Sequence, residues 1–399
     1  MSAGSMTAPR LAPAGLTDRA QMTVDCVESA DGLRGLRDTW RNLLDASPGA
    51  TPFNSWEWAF SWWKAYGRAR PLKVLVFRDA EGVAGIAPLY LDHERIGSGL
   101  RARVLHVIGD GSFDSDYLGF IVRQGAEDAV LARWFAWLRQ GRDWDAVALR
   151  AIAEQSALPG ALCALAGAAG MPFTTDYSPC ATLRLPGSFD AFLRERRSRF
   201  RTKLRALLRK VDDGQVTFVS ECAPRELHGR LRSLFALHQA RWRAAGSPGV
   251  FGAAPKRRFY AHFAVRFARA GWLRLYSLRL GEAYVAHELC FSRNGVTYLL
   301  QEGFDTTDAA ASYGQTLRAA VVRHLIDRGE TTYDFLGGAS RHKDDWGATE
   351  GRLVHVIIGR NGWRGSLYVK LPSLRERAAV LAKRVLPARA IAALRRRPA

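Results

Sequence analysis

WLRLYSLRL (residues 272–280), AYVAHELCF (283–291), VTYLLQEGF (296–304), SYGQTLRAAVVRHLIDRG (312–329) and TTYDFLGG (331–338) follow one another in the second half of the chain. The first three are short apolar runs rich in β-branched and aromatic residues. The turn pair Gly281-Glu282 splits the first two, which predicts a hairpin followed by a third strand. Apolar residues at helical spacing predict a helix over 313–329, and TTYDFLGG reads as another strand. Hairpin, strand, helix, strand make one α/β unit.

The same order occurs upstream. TPFNSWEWAFSWWKAYG (51–67) carries Trp56, Trp58, Trp62 and Trp63, and Trp58, Trp62 and Tyr66 recur on one helix face, read as core. LKVLVFRD and VAGIAPLYLD around Glu81-Gly82 predict a hairpin. VLHVIGD and YLGFIV predict strands, 126–140 a helix, and DAVALRAI a strand. Helices over 224–245 and 256–270 precede the second hairpin, and LVHVIIG near the end adds a strand. The economical reading is two copies of one unit joined by a basic helix at 194–210. The expected organisation is a leader over 1–22, domains over 23–185 and 186–362, and a basic tail over 363–399. The expected fold class is α/β of the α+β kind, in tandem domains with mixed, mostly antiparallel sheets and flanking helices.

Composition narrows the function. The 399 residues are 48% hydrophobic and 24% charged, which excludes a disordered or collagen-like chain. Five scattered cysteines without a C-x-x-C pair argue against a disulfide scaffold or structural zinc and predict no metal. No signal-peptide core opens the sequence. The uncharged stretch 155–175 is broken by Gly and Pro, so it reads as a helix rather than a span, and a cytoplasmic location is expected. The formal charge of +20 is concentrated: residues 194–210 hold nine basic groups and one acidic, residues 364–399 ten and one, together +17. Two local basic surfaces point to an anionic partner, a CoA phosphate, nucleic acid or an anionic membrane; the alternative is solvated helix faces.

The junction after VTYLLQEGF carries the first candidate site. A helix opening at Ser312, Tyr313, Gly314 and Gln315 presents unpaired N–H groups, and Gly314 lets an anion approach the backbone. For Ser312 the plainer reading is an N-cap.

These features, together with PFNSWEWAFSWW, DSDYL (114–118), R-R-x-R (196–199), LHQARW (237–242), GFD (303–305), SYG (312–314), YDFLGG and then Lys343 and Trp346, give the chain its resemblance. From about Trp40 to Gly359 it resembles the CelD/BcsL-type acetyltransferases of the GNAT superfamily, named from cellulose-biosynthesis loci and related to the double-GNAT FemABX transferases. Tyr313 stands where the family has proline, and His342-Lys343 where it has an aromatic-Lys pair. The resemblance implies acyl transfer from acyl-CoA, acetyl or longer, to an amine. Ser312, Tyr313, Gly314 and Gln315 would hold the pyrophosphate, and Lys343 would stabilise the oxyanion; the bland alternative for Lys343 is pairing with Asp344 or Asp345. Base candidates are His287, Glu288 and Glu302, although His287 shares an apolar strand face and Glu302 ends a strand. His238, Arg241 and Trp242 share a helix face and would contact acceptor or CoA, or simply pack. Asp114 and Asp116 would grip the acceptor ammonium, or cap a turn, and Asp305 is counted with the substrate contacts.

The resemblance implies as acceptor an amino sugar or polysaccharide precursor, or a long-chain amine of the sphingoid kind, since some bacterial ceramide synthases resemble the same family. Ser373 and Glu376 form a capping box before an apolar stripe of Leu374, Ala378, Leu381 and Val385 flanked by Arg375, Arg377, Lys383 and Arg384, as in helices that lie on anionic membranes. Docking onto the protein's own core is the other reading. The competing class is an aminoacyl-tRNA-dependent transferase or a non-catalytic anion-binding protein. Phe200 alone interrupts the basic helix as an aromatic and no RNA-binding motif is present, which speaks against nucleic acid.

Overall fold

Gly82 and Gly281 lie at φ 112° and 56°, so both tight turns form where a side chain would be strained. The computed structural model describes residues 22–338 and 341–371. Most of the leader and the capping-box segment from Ser373 onward fall outside these, and so does the side chain of His342. The strands are β1 (Thr23–Val27), β2 (Leu72–Asp79), β3 (Gly82–Arg95), β4 (Arg101–Val107), β5 (Ile121–Val122), β6 (Ala146–Ala153) and β7 (Phe173–Arg184), then β8 (Thr217–Val219), β9 (Leu273–Leu280), β10 (Ala283–Arg293), β11 (Val296–Phe304), β12 (Thr332–Gly337) and β13 (Thr349–Gly359). They form one continuous sheet ordered β1-β2-β3-β4-β6-β13-β7-β12-β11-β10-β9-β8, with β5 on β3. Pairing is antiparallel except for β4 with β6 and β11 with β12.

The two repeats exchange their last strands. β7 pairs with β12 of the second repeat, whereas β13 pairs with β6 of the first, and β7 and β13 join at the centre. The sequence reading left β7 without an element, because TTDYSPCATLR carries polar residues and Pro179. The proline is tolerated because the β7–β12 ladder ends beside it at the Cys180–Gly337 pair, so its missing N–H interrupts no bond to β12. YLGFIV contributes only the two residues of β5, since Tyr117 adopts φ 53° and turns the chain away.

Helices cover the faces: α1 (Ala30–Gly35), α2 (Arg37–Asp45), α3 (Trp56–Tyr66), α4 (Glu127–Gln140), α5 (Leu158–Ala168), α6 (Phe189–Arg194), α7 (Ser198–Asp212), α8 (Leu227–Ala244), α9 (Ala254–Arg269), α10 (Tyr313–Asp327) and α11 (Arg341–Asp345). The tryptophan stripe is core. Trp58 and Trp62 are buried, and Trp58 meets Phe259 edge-on at 4.9 Å, so α3 of one repeat packs on α9 of the other through aromatic rings. Among the described residues no helix is long and apolar enough to cross a membrane, and no cluster of His, Cys, Asp and Glu is placed to hold a metal ion.

Candidate active site

β11 and β12 run parallel but pair only over Val296–Tyr298 and Thr332–Asp334. Past that point the ladder between them ends, and two cavities of about 410 Å³ each adjoin the gap. Leu299, Leu300 and Gln301 of β11 line both, as do Phe335, Gly337 and Gly338 at the end of β12. The cavities therefore meet where the sheet opens.

The first cavity is basic. Lys203 of α7, Arg241 of α8, Arg318 of α10 and Lys343 of α11 line it, against Glu302 and Asp345. His238 and Trp242 line it too, so the face predicted from LHQARW is presented as expected. Trp242 Nε1 donates to His238 Nε2 at 2.9 Å. Burial, helped by Arg241, pulls the His238 pKa down to about 4, so the ring is neutral near pH 7. α8 comes this close because residue 303 is glycine: a Cβ there would lie 2.7 Å from the Leu234 carbonyl oxygen and 2.8 Å from the His238 nitrogen. Gly314 and Gln315 of the helix opening line the same cavity, while Ser312 and Tyr313 stand beside it. Ser312 occupies the N-cap position of α10, its carbonyl accepting the Thr316 N–H at 3.0 Å, but its side chain does not cap. It sits at φ 53° and its hydroxyl makes no cap bond, so the first-turn N–H groups of α10 have no side-chain acceptor. Gly314 has a packing reason as well, because a Cβ would meet the Phe304 ring at 2.6 Å.

Glu302 reaches this cavity but is a poor base. Arg241 Nη1 donates to it at 2.8 Å, and Arg318 donates to its other oxygen. Burial pushes its carboxyl up, yet the two guanidiniums outweigh burial and hold it below the ordinary value. Arg318 also donates to the buried Glu288 at 2.8 Å, which accepts a second bond from Tyr333 at 2.7 Å. Glu288 is thus committed to the core. Arg318 escaped the sequence reading, although a signal existed. Glu288 and Glu302 face each other across β10 and β11, and two opposed carboxylates demand a cation.

Lys343 does not pair with Asp344 or Asp345. Its ammonium donates to the carbonyl oxygens of Gly338 at 2.6 Å and Leu336 at 3.1 Å, with those of Phe335 and Gly337 slightly farther. Burial lowers its pKa, opposed by Asp334 and Asp116. It clasps the strand end at the meeting point of the two cavities.

The second cavity is acidic, lined by Asp110, Asp114 and Asp116 against Arg150. Asp114 is committed through one oxygen only: Lys256 Nζ and Tyr260 OH both donate to its Oδ1 at 2.8 Å, while its buried Oδ2 has no hydrogen-bond partner among the described residues. Asp116 remains an acceptor candidate. One oxygen takes the Gly337 N–H at 2.7 Å, and burial holds its pKa above the usual carboxylate range. Nearby, Tyr117 OH donates to Asp334 at 2.7 Å, and burial pushes that carboxyl up to about 6. Left-handed non-glycine residues gather here: Phe113, Ala151 and Leu336 line the cavity at φ 59°, 54° and 58°. Such strain persists only where surrounding contacts enforce it.

Two predicted residues lie elsewhere. His287 is fully buried beside Ser277, whose hydroxyl is 2.6 Å from Nδ1 and also accepts from Arg230. Burial and Arg230 bring its pKa to about 3, so it is a core histidine outside both cavities and no base. Asp305 spends its carboxylate on the Thr307 N–H at 2.9 Å, a turn outside both cavity linings.

Residues 195–344 match the acetyltransferase (GNAT) domain family. The matched segment starts just ahead of α7 and ends in α11, so it contains most of the basic cavity. Among solved structures, FemX superposes with a TM-score of 0.58 at 11% identity, over 80% of this chain and 95% of that one. The C-terminal domain of a putative lysylphosphatidylglycerol synthetase from Agrobacterium fabrum gives 0.51 at 11%, over 87% and 97%. L-PGS from Bacillus licheniformis gives 0.50 at 13%, over 84% and 96%. At these identities the likeness concerns the fold alone. No curated protein matches the chain significantly. The fold is a mixed α/β one, a single mixed sheet flanked by helices, in which residues 195–344 carry the GNAT domain match.

Proposed function

We propose that the protein is an acyl-CoA-dependent N-acyltransferase, with the donor in the basic cavity and an amine in the acidic one. The observation that carries this reading is the opposite charge of two cavities that meet between β11 and β12. An anionic donor suits Lys203, Arg241 and the N-terminus of α10, where no side chain caps the first turn and Gly314 and Gln315 line the cavity. A bound thioester would supply the activated acyl carbon. On the other side Asp116, its pKa raised by burial, holds the acceptor ammonium and takes one of its protons; the freed lone pair attacks the thioester carbon, the C–S bond breaks, and the thiolate leaves with CoA, picking up the second proton that the new amide nitrogen sheds. Lys343, clasped to the strand end, places its ammonium beside the thioester carbonyl oxygen, on which negative charge develops as the tetrahedral intermediate forms.

The resemblance to cellulose-locus acetyltransferases, and the likeness in fold to FemX, favour an envelope pathway in the cytoplasm or at the inner face of the membrane. The exposed arginines of α7 favour a second donor class, aminoacyl-tRNA. Titration calorimetry with acetyl-CoA, a long-chain acyl-CoA and an aminoacyl-tRNA separates the donors. Micromolar binding of an acyl-CoA, weakened at least tenfold by Gly314→Asp, is the expected result. Binding of aminoacyl-tRNA alone overturns the reading.

A further inference from the structure

Phe113 is 97% exposed, the most exposed large hydrophobic side chain among the described residues, and it lines the acidic cavity. It also sits in the left-handed region at φ 59°, where an L-residue is strained. A floppy loop would relax both features, but this loop is bolted from below. The buried Lys256 donates to the Ser112 carbonyl at 2.9 Å and to Asp114 at 2.8 Å, fixing the residues on either side of Phe113. Trp58 Nε1 donates to the Ser115 hydroxyl at 3.0 Å, and Gly337 N–H donates to Asp116 at 2.7 Å. The chain thus holds an aromatic ring in water, in a strained conformation, at a cavity that also presents Leu299, Leu300 and Leu336.

The charge lining narrows what could cover that ring. The one cation lining this cavity, among the described residues, is Arg150, and it is committed to Asp110 at 2.8 Å. A phosphate would face Asp110, Asp114 and Asp116 with no uncommitted partner, whereas the basic cavity next door would welcome it. A nucleotide-linked or phosphorylated acceptor is therefore rejected by this cavity's own charge.

Resting on the acyltransferase reading above, we propose that the acceptor is an unphosphorylated amine whose hydrocarbon part continues from the ammonium to Phe113, with Asp116 reading the charge and Phe113 the chain. Covering an exposed phenyl ring with hydrocarbon is favourable in proportion to the apolar area removed from water, so chain length should register in affinity.

The test is titration calorimetry of the full chain with octylamine, ethanolamine, D-glucosamine and D-glucosamine 6-phosphate. Octylamine should bind at least tenfold tighter than ethanolamine, and the 6-phosphate more weakly than glucosamine. Phe113→Gly, which suits the left-handed backbone, should cut octylamine affinity about tenfold, leave ethanolamine within twofold, and keep or raise Tm; Phe113→Trp should restore octylamine binding. Asp116→Asn should weaken both amines alike. Failure of octylamine to bind, equal binding by parent and Phe113→Gly, octylamine binding untouched by Asp116→Asn, or preference for the phosphorylated sugar each overturns the proposal. Acetyl-CoA is titrated into the same samples. Loss of that binding alone would count against the donor reading and leave the acceptor proposal standing.

Discussion

Lys343 is a clasp by its contacts and, on the proposed acyltransferase reading, also the group that faces the oxyanion. Its ammonium gathers the carbonyls of Leu336 and Gly338, and removing it leaves those oxygens without their donor while taking a positive charge from the reacting centre. Lys343→Ala should therefore lower kcat on the order of 10²-fold and leave the acyl-CoA Kd within about threefold, because a charge that serves the transition state does not bind the ground state. A kcat loss that follows only the folded fraction on a thermal scan would reduce Lys343 to a clasp. Asp334, one turn of the chain away, carries a pH signature. Its carboxyl titrates near 6 in the folded protein because burial and the Asp116 charge outweigh the bonds from Tyr117 and Leu336. The native state then holds the proton more tightly than the unfolded chain. This contribution is fully present below about pH 4, and it is lost as pH rises through 6. Asp334→Asn should remove this decline, worth up to about 3 kcal/mol. Urea midpoints at pH 4.5 and 7.5 should show the variant gaining on its parent at the higher pH; an identical slope in both proteins would acquit Asp334.

At the scale of elements, the exchange of β7 and β13 makes each repeat depend on the other. A fragment over 22–185 keeps β7 without β12 and leaves the β6 edge without β13, and such open edges pair indiscriminately. Either half expressed alone should aggregate, and co-expression of residues 1–195 with 196–399 should return a soluble complex that elutes as one species. A monomeric, cooperatively melting N-terminal half would contradict this. The sequence carried the rest of the plan well. Hairpins at Gly82 and Gly281, the helix after Ser312 and the aromatic face of α3 all follow from local chemistry that tertiary contacts reinforce. β7 was illegible because Pro179 and its polar neighbours resemble a loop until β13, far along the chain, covers them. In the site, LHQARW was legible since i, i+3 and i+4 positions share a face. His287 and Glu302 misled for one reason: each partner, Arg230 or Arg318, comes from another element, and alternation patterns do not reveal which carboxylate or imidazole is already spoken for.

For the whole molecule, the charge distribution asks what the basic surfaces face. α7 flanks the basic cavity through Lys203, and Lys210 donates to the Ala311 carbonyl at 2.9 Å just before α10, so part of that charge shapes this cavity's surroundings. The C-terminal surplus is different. Residues 372–399 contain eight basic groups and one acidic. They follow a segment fastened to the first repeat, where Tyr368 OH donates to Glu94 at 2.6 Å and Tyr368 and Val369 pack against Val104 and Ala148. A truncation meant to test the tail must therefore stop after Leu371; ending at Gly365 would also strip Tyr368 from the buried His106–Glu94–Arg150 network. If residues 372–399 meet an anionic leaflet, each engaged basic residue contributes about 1 kcal/mol, and the attraction fades within a Debye length as salt rises. Cosedimentation should find the full chain with vesicles of 30% phosphatidylglycerol at low salt, and free of them in phosphatidylcholine or at roughly 0.5 M salt. The chain ending at Leu371 should stay in the supernatant throughout while keeping the parent's Tm. Equal pelleting by the truncated chain would move the membrane contact to α7, and indifference of the full chain to anionic vesicles would leave the tail without a membrane role and the acceptor to be met in solution.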